Sequence, residues 1–253
     1  METFNEELKK LNRTLNIDNI KNAFKYFQNI NLDLMYGFKN QTIKQLNKDL
    51  DQIIKLNPSH ISTYSLIVEP HTKNYIENYQ TIDEDLDREM YDTIINKLKE
   101  NGYIHYEISN FAKENFSSKH NLVYWDNKHY YGFGLGAGGY IEHVRYENTR
   151  SLTNYLKGKY RLTEETLSKS ETIQNEFILG FRKIEGISKE KFKQKYNIDI
   201  DDIKEIKTLK QKNLLKENEN NIFINPEYLY TSNEILINFI DYKNSLWYII
   251  LRR

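Results

Sequence analysis

Residues 103–113 read Tyr-Ile-His-Tyr-Glu-Ile-Ser-Asn-Phe-Ala-Lys, residues 120–125 read His-Asn-Leu-Val-Tyr-Trp, and residues 130–140 read Tyr-Tyr-Gly-Phe-Gly-Leu-Gly-Ala-Gly-Gly-Tyr. Five of the ten glycines in the chain fall between Gly132 and Gly139, and His120, Asn121, Tyr124 and Trp125 crowd into six residues just before them. Glycine lets a backbone approach a ligand closely, and aromatic rings beside an imidazole suit a flat apolar or metal-bearing ligand. Without that chemistry, the same stretch reads as a β-hairpin region with aromatic cross-strand pairs.

Toward the N-terminus, helix and strand patterns alternate. Ile20, Ala23, Phe24 and Phe27 have helical spacing, and residues 30–36 alternate as a strand. Thr42 with Gln45 forms a capping box ahead of Ile43, Leu46, Leu50, Ile53 and Ile54, which share one helical face. Pro58 follows, and a strand is expected over 61–67. Thr81 with Glu84 reads as a second capping box, opening a helix with Leu86, Met90, Ile94, Ile95 and Leu98 inward. Asn101-Gly102 ends that helix, and a strand is expected at 103–108. This order argues for an α/β fold with a parallel sheet, open or curved into a barrel.

Within the first strand Asn31 and Asp33 share one face, and Leu32, Leu34 and Tyr36 share the other. A parallel strand covered on both faces is apolar throughout, so the polar face is expected to line a wet or ligand-filled interior. On pattern alone, Asp33 could equally cap a loop or pair with a lysine.

After Tyr140 the pattern changes. Residues 151–215 read as helical, 222–224 as a short strand and 234–240 as a closing helix, together a small winged-helix-like module. Acidic and basic residues interleave there without a basic stripe, so no nucleic-acid partner is expected. The whole chain balances 36 basic against 36 acidic residues, which excludes a global field for polyanions. It contains no cysteine, and hence no disulfide, zinc thiolate, cysteine nucleophile or cysteine-ligated cluster. No signal peptide or long apolar run is evident, so a cytoplasmic protein is expected, with peripheral but not integral membrane association. The six histidines lack zinc-site spacing, and the glycine run matches neither a Walker nor a dinucleotide loop.

Many markers occur in one order: Met-Glu-Thr-Phe-Asn-Glu-Glu-Leu at 1–8, Leu-Asn-Arg-Thr at 11–14, Asn-Leu-Asp-Leu-Met-Tyr-Gly at 31–37, Asn-Gln-Thr at 40–42, and His-Ile-Ser-Thr-Tyr-Ser-Leu at 60–66. With the three segments quoted first, they make the chain resemble the radical S-adenosylmethionine family of oxygen-independent coproporphyrinogen III oxidase-like proteins, in particular its heme chaperone branch. The resemblance implies the C-terminal part of a partial (β/α)6 barrel over 1–145, a helical winged-helix-like module over 146–240 and an added tail over 241–253. It implies S-adenosylmethionine contacts at Arg13, Asp33, Ile67 and Gly138. It also implies heme handling by His120, Asn121, Tyr124 and Trp125, with His120 as the candidate iron ligand. A carboxylate on an inward strand face can accept bonds from hydroxyl or amine groups, a guanidinium can hold a carboxylate by a forked pair, and imidazole is a competent axial ligand.

The departures from the family are as informative. Intact relatives hold a [4Fe–4S] cluster through three cysteines of a C-x3-C-x2-C loop, which this chain lacks. Met1 falls within an expected barrel strand, Glu2 replaces a glutamine, Leu15 a histidine, Lys39 and Glu114 prolines, and Gly138 a common histidine. The reading is therefore an N-terminally truncated heme chaperone-like protein of porphyrin metabolism without radical activity of its own. Its expected partners are heme or another tetrapyrrole, a heme-accepting protein, and a second copy through an exposed barrel edge. The alternatives are a radical coproporphyrinogen III dehydrogenase split over two chains, or a non-functional remnant.

Overall fold

The computed structural model describes residues 17–240. Arg13, the departures at Met1, Glu2 and Leu15, and the expected tail at 241–253 lie outside the described residues. The chain divides into two units between Ser118 and Lys119.

In the first unit, α1 (Ile17–Ala23) precedes β1 (Asn31–Tyr36), α2 (Ile43–Leu56) and β2 (His60–Ser65). The expected capping box opens α2: the Thr42 hydroxyl accepts from the Gln45 amide, and the Gln45 side chain accepts from the Thr42 amide at 2.9 Å. Asn57 closes α2 in the left-handed region with φ of 57°. A short helical turn, α3 (Lys73–Ile76), precedes α4 (Glu84–Glu100). The cap of α4 is Asp83, whose carboxylate accepts from the Leu86 amide at 2.9 Å, and not Thr81. An aspartate two residues later offers the first turn both an acceptor and a negative charge, which suits the positive end of the helix dipole. Gly102, with φ of 82°, ends α4 as expected: its amide reaches the Lys99 carbonyl and the Tyr103 amide reaches that of Leu98.

Strands β3 (Ile104–Glu107) and β4 (Asn110–Ala112) form a hairpin, and the sheet order is β1-β2-β4-β3. β1 and β2 are parallel, with Asn31 opposite His60 and Asp33 opposite Ser62, as repeated helix–strand units require. The parallel arrangement is interrupted by β4, which inserts antiparallel beside β2. One sheet face buries Leu34, Tyr36, Ile61 and Phe111 with Leu46, Leu50 and Ile53 of α2 and Met90, Ile94 and Leu98 of α4. The opposite face carries Asn31, Asp33, His60, Ser62 and Tyr106.

In the second unit, α5 (Lys119–Trp125) precedes an antiparallel sheet of β5 (Gly138–Ile141), β6 (Val144–Asn148) and β7 (Arg161–Thr166), with α6 (Leu152–Leu156) between the last two strands. Residues 119–125 are thus helix and not hairpin, and the region expected to be helical throughout contains β7. Every residue of β7 is exposed, so no apolar alternation marks it in the sequence. The division expected at 145–146 falls inside β6, which pairs with strands on both sides.

The C-terminal module comprises α7 (Lys169–Gly180), β8 (Ile187–Ser188), α8 (Lys189–Tyr196), α9 (Lys204–Gln211), β9 (Leu215–Glu217), β10 (Asn221–Ile224) and α10 (Ser232–Leu236). Its strands order β8-β10-β9, which matches the winged-helix-like expectation. Phe177 is its hub, with ring centroids 5.3 Å from Phe192 and 4.6 Å from Phe239.

Candidate functional site

The polar face of the first sheet holds a directed hydrogen-bond chain. The Asn31 amide nitrogen donates to Asp33 Oδ1 at 2.7 Å, which turns its oxygen toward His60. That oxygen can only accept, so His60 Nδ1 carries the proton and donates across 2.6 Å. His60 Nε2 then accepts from the Tyr106 hydroxyl at 2.7 Å, and the Ser118 amide donates to the same hydroxyl oxygen at 3.2 Å. Ser62 Oγ adds a second donor to the Asn31 oxygen at 3.1 Å. Burial holds the His60 pKa below its ordinary value against the opposing Asp33 charge, in keeping with a neutral imidazole. Asp33 itself is exposed, so the chain orients one carboxylate oxygen and leaves the carboxylate open to hydroxyl or amine donors. Ile67, just past β2, is 57% exposed.

The Tyr-Glu-Ile-Ser-Asn segment, which looks functional in sequence, builds the β3–β4 turn. The buried Glu107 carboxylate accepts from the Ser109 amide and the Asn110 side chain. The Ser109 carbonyl accepts from the Thr63 amide at 2.7 Å, and the Ile108 carbonyl from the Tyr91 hydroxyl at 3.1 Å. These bonds fasten the hairpin to β2 and α4.

The His-Asn-x-x-Tyr-Trp residues all lie on α5. His120 is exposed, and Tyr124, one turn on, meets its ring edge-on with centroids 4.9 Å apart. Tyr124 in turn meets Tyr130 at 4.5 Å. The Trp125 indole nitrogen is buried without a hydrogen-bond partner, a donor that the described residues do not satisfy.

Two anchors hold the end of α5. Asp126 accepts from Lys183 at 2.6 Å and from Lys128 at 2.7 Å. Burial pushes the Asp126 carboxyl up, but the bonds from Lys128 and Lys183 outweigh it and leave the pKa below its ordinary value. The Asn127 side-chain amide donates to the Thr172 carbonyl and to Glu176, which also accepts from the Tyr196 hydroxyl at 2.8 Å. No sequence spacing signals Glu176, on α7, or Lys183, just past its end, which lie 49 and 57 residues from Asn127 and Asp126 respectively.

The glycine run serves packing first. Gly132 and Gly139 lie where a Cβ would strike the Gly138 carbonyl and the Tyr146 ring respectively, and Gly134 and Gly136 have φ of 89° and 66°. At Gly138 a side chain would meet only the Tyr146 carbonyl at 3.7 Å, ordinary contact, so packing does not demand that glycine. Gly138 belongs to the second unit and Asp33 and Ile67 to the first. Among the described residues no group of three or more His, Asp or Glu side chains converges as a metal site, and no helix is long and apolar enough to cross a membrane.

Residues 167–227 match the family described as the HemN C-terminal domain. The chain is 38% identical over 216 residues to the heme chaperone HemW of Lactococcus lactis, covering 79% of this chain and 56% of that protein. It is 38% identical over 221 residues to the heme chaperone HemW of Bacillus subtilis, covering 83% and 58%. The match to the heme chaperone HemW of Haemophilus influenzae is 32% over 248 residues, 93% of this chain and 65% of that protein. The chain thus spans between half and two thirds of the length of these relatives. Its fold matches coproporphyrinogen III oxidase (HemN) from Escherichia coli, a radical SAM enzyme, with a TM-score of 0.75 over 94% of this chain and 62% of that one, at 16% identity. In sequence the chain is thus similar to heme chaperones of the HemW type, its residues 167–227 match the HemN C-terminal domain, and its fold is similar to that of HemN.

Proposed function

We propose that this protein binds heme in the manner of a heme chaperone, with His120 as axial ligand to the iron. The observation that carries the reading is α5: an exposed imidazole at its first turn, an aromatic ring one turn on, and a buried indole donor without a partner. The donor set fits the group. A neutral imidazole can ligate ferric or ferrous iron, the rings of Tyr124 and Trp125 offer apolar surface to a macrocycle, and the Asp126 and Asn127 anchors keep the helix end in place. Bound heme would be cargo for an accepting protein, handed over in a cytoplasmic setting. Titration with hemin tests this: His120→Ala abolishes the Soret shift of the wild-type complex, and an unchanged shift would remove His120 from the site.

A second reading concerns the first unit. Asp33, with one carboxylate oxygen held by Asn31, suits the hydroxyl and amine groups of S-adenosylmethionine, with Ile67 as the further contact in this unit that the resemblance suggests. A [4Fe–4S] cluster does not fit this chain, which offers no thiolate. Calorimetric titration of S-adenosylmethionine against wild type and Asp33→Asn separates binding by this face from no binding.

A further inference from the structure

The loop at 131–134 presents two aromatic rings to solvent from an unusually well-tied backbone. The Tyr146 hydroxyl accepts from the Gly132 amide at 3.0 Å, and the Asn148 side-chain amide donates to the carbonyls of Gly132 and Gly134 at 3.0 and 2.9 Å. The tie fixes Tyr131 and Phe133 as a stacked pair, centroids 5.9 Å apart, at 69% and 83% exposure. Rings this exposed add nothing to a core and cost solubility, so their placement calls for a ligand. Tyr155 and Tyr160, edge-on at 5.0 Å, stand with them around one cleft of about 650 Å³, within the usual size of small-molecule sites.

The cleft carries cations as well. Arg161 stacks on Tyr146 with its guanidinium 3.5 Å from the ring centroid and donates to Asn148 Oδ1 at 2.6 Å, so it is held in a fixed pose. Lys159, also lining the cleft, is exposed. The geometry points to a second site on this unit, separate from His120, for a planar aromatic ligand bearing carboxylates. Its face stacks on Tyr131 and Phe133, and its acids pair with Lys159 and Arg161. A tetrapyrrole with its propionates has this chemistry; that identification of the ligand rests on the heme reading above, whereas the site does not depend on the iron or on His120.

Metal-free protoporphyrin is therefore the probe, titrated against the full chain and followed by its fluorescence. Phe133→Ala is expected to weaken binding about tenfold. Lys159→Glu should weaken it several-fold, with a reduced salt dependence. Leu156→Ala, which removes a similarly exposed side chain outside the cleft lining, should leave it unchanged. No binding by wild type, or equal losses in Phe133→Ala and Leu156→Ala, overturns the site. Failure of the His120 reading shows separately, in the hemin Soret band.

Discussion

Acidification tests the interior of the first unit through one side chain. His105 is 5% exposed and stacks on Phe111, with centroids 4.4 Å apart and 11° between planes. Its Nε2 donates to the Ile108 carbonyl at 3.2 Å, and its Nδ1 is buried without a partner. Burial pushes its pKa down from 6.5 to about 4, and the bond to Ile108 opposes that shift without reversing it. As pH falls, the unfolded chain takes up the proton first. The stabilisation is therefore complete above about pH 6.5 and is lost progressively down to about pH 4. One pKa unit corresponds to about 1.4 kcal/mol, so going from about pH 7 to about pH 4.5 removes about 2 kcal/mol. His60, also lowered by burial, acts in the same direction. His105→Phe keeps the stack on Phe111 and removes the titration, while the Ile108 carbonyl retains the Tyr91 hydroxyl as donor. Native-state hydrogen exchange at the Phe111 and Ala112 amides reads the opening free energy of β4. Wild type should lose about 2 kcal/mol more than His105→Phe over that pH range. Equal slopes, or a His105 resonance that titrates near the ordinary histidine value, would refute the reasoning.

Tyr106→Phe removes the hydroxyl donor to His60 Nε2. It should cost about 1–2 kcal/mol and raise the His60 pKa, since that donor favours the neutral ring; imidazole proton shifts followed across pH check both the direction and the residue. Gly139→Ala places a methyl group against the Tyr146 ring, and displacing that ring also breaks its hydroxyl contact with Gly132. A loss of about 1–3 kcal/mol in thermal unfolding is expected, against almost none for Gly138→Ala. Lys183→Met leaves the partly buried Asp126 with Lys128 alone, so about 1–2 kcal/mol should be lost and hemin affinity should fall with it. Retained affinity in a folded Lys183→Met protein would show that the anchor does not position α5.

What the sequence revealed was what local rules govern. Thr42 and Gln45 are three residues apart and their capping box formed; so did the Asn101-Gly102 helix end, and the two-faced pattern of β1 came out with Asn31 and Asp33 outward. The cap of α4 moved from Thr81 to Asp83 because two acceptors near the helix start compete and the charged one wins. β4 was hidden because three residues after a tight turn carry no periodicity, and β7 because it lies wholly in solvent. The directed chain through His60 was illegible for another reason. Its partners, Asn31 and Tyr106, are 29 and 46 residues away, and only the register of β1 on β2 and the hairpin geometry bring them together. His120, Tyr124 and Trp125 lie on one helix, but no pattern could show that Glu176 of α7 and Lys183 just beyond it hold the end of that helix.

The two units offer different chemistry, and the difference decides what this chain can do by itself. The first presents acceptors: a carboxylate oriented by an amide, backed by a neutral imidazole whose tautomer is set by its partners. A purely structural role would not require such a chain, because a satisfied polar network confers no more stability than a well-packed apolar face. We propose that its effect is to aim Asp33 at a donor-bearing ligand. The second unit presents an imidazole, aromatic faces and two cations, all between His120 and Arg161, and none of these depends on a thiolate. Electron transfer from an iron–sulfur cluster needs thiolates that no residue of this chain can provide, whereas holding a macrocycle by its iron, its face or its acids needs only groups already in place. Tetrapyrrole binding is thus the activity we propose for this chain, because it is the one that needs no thiolate.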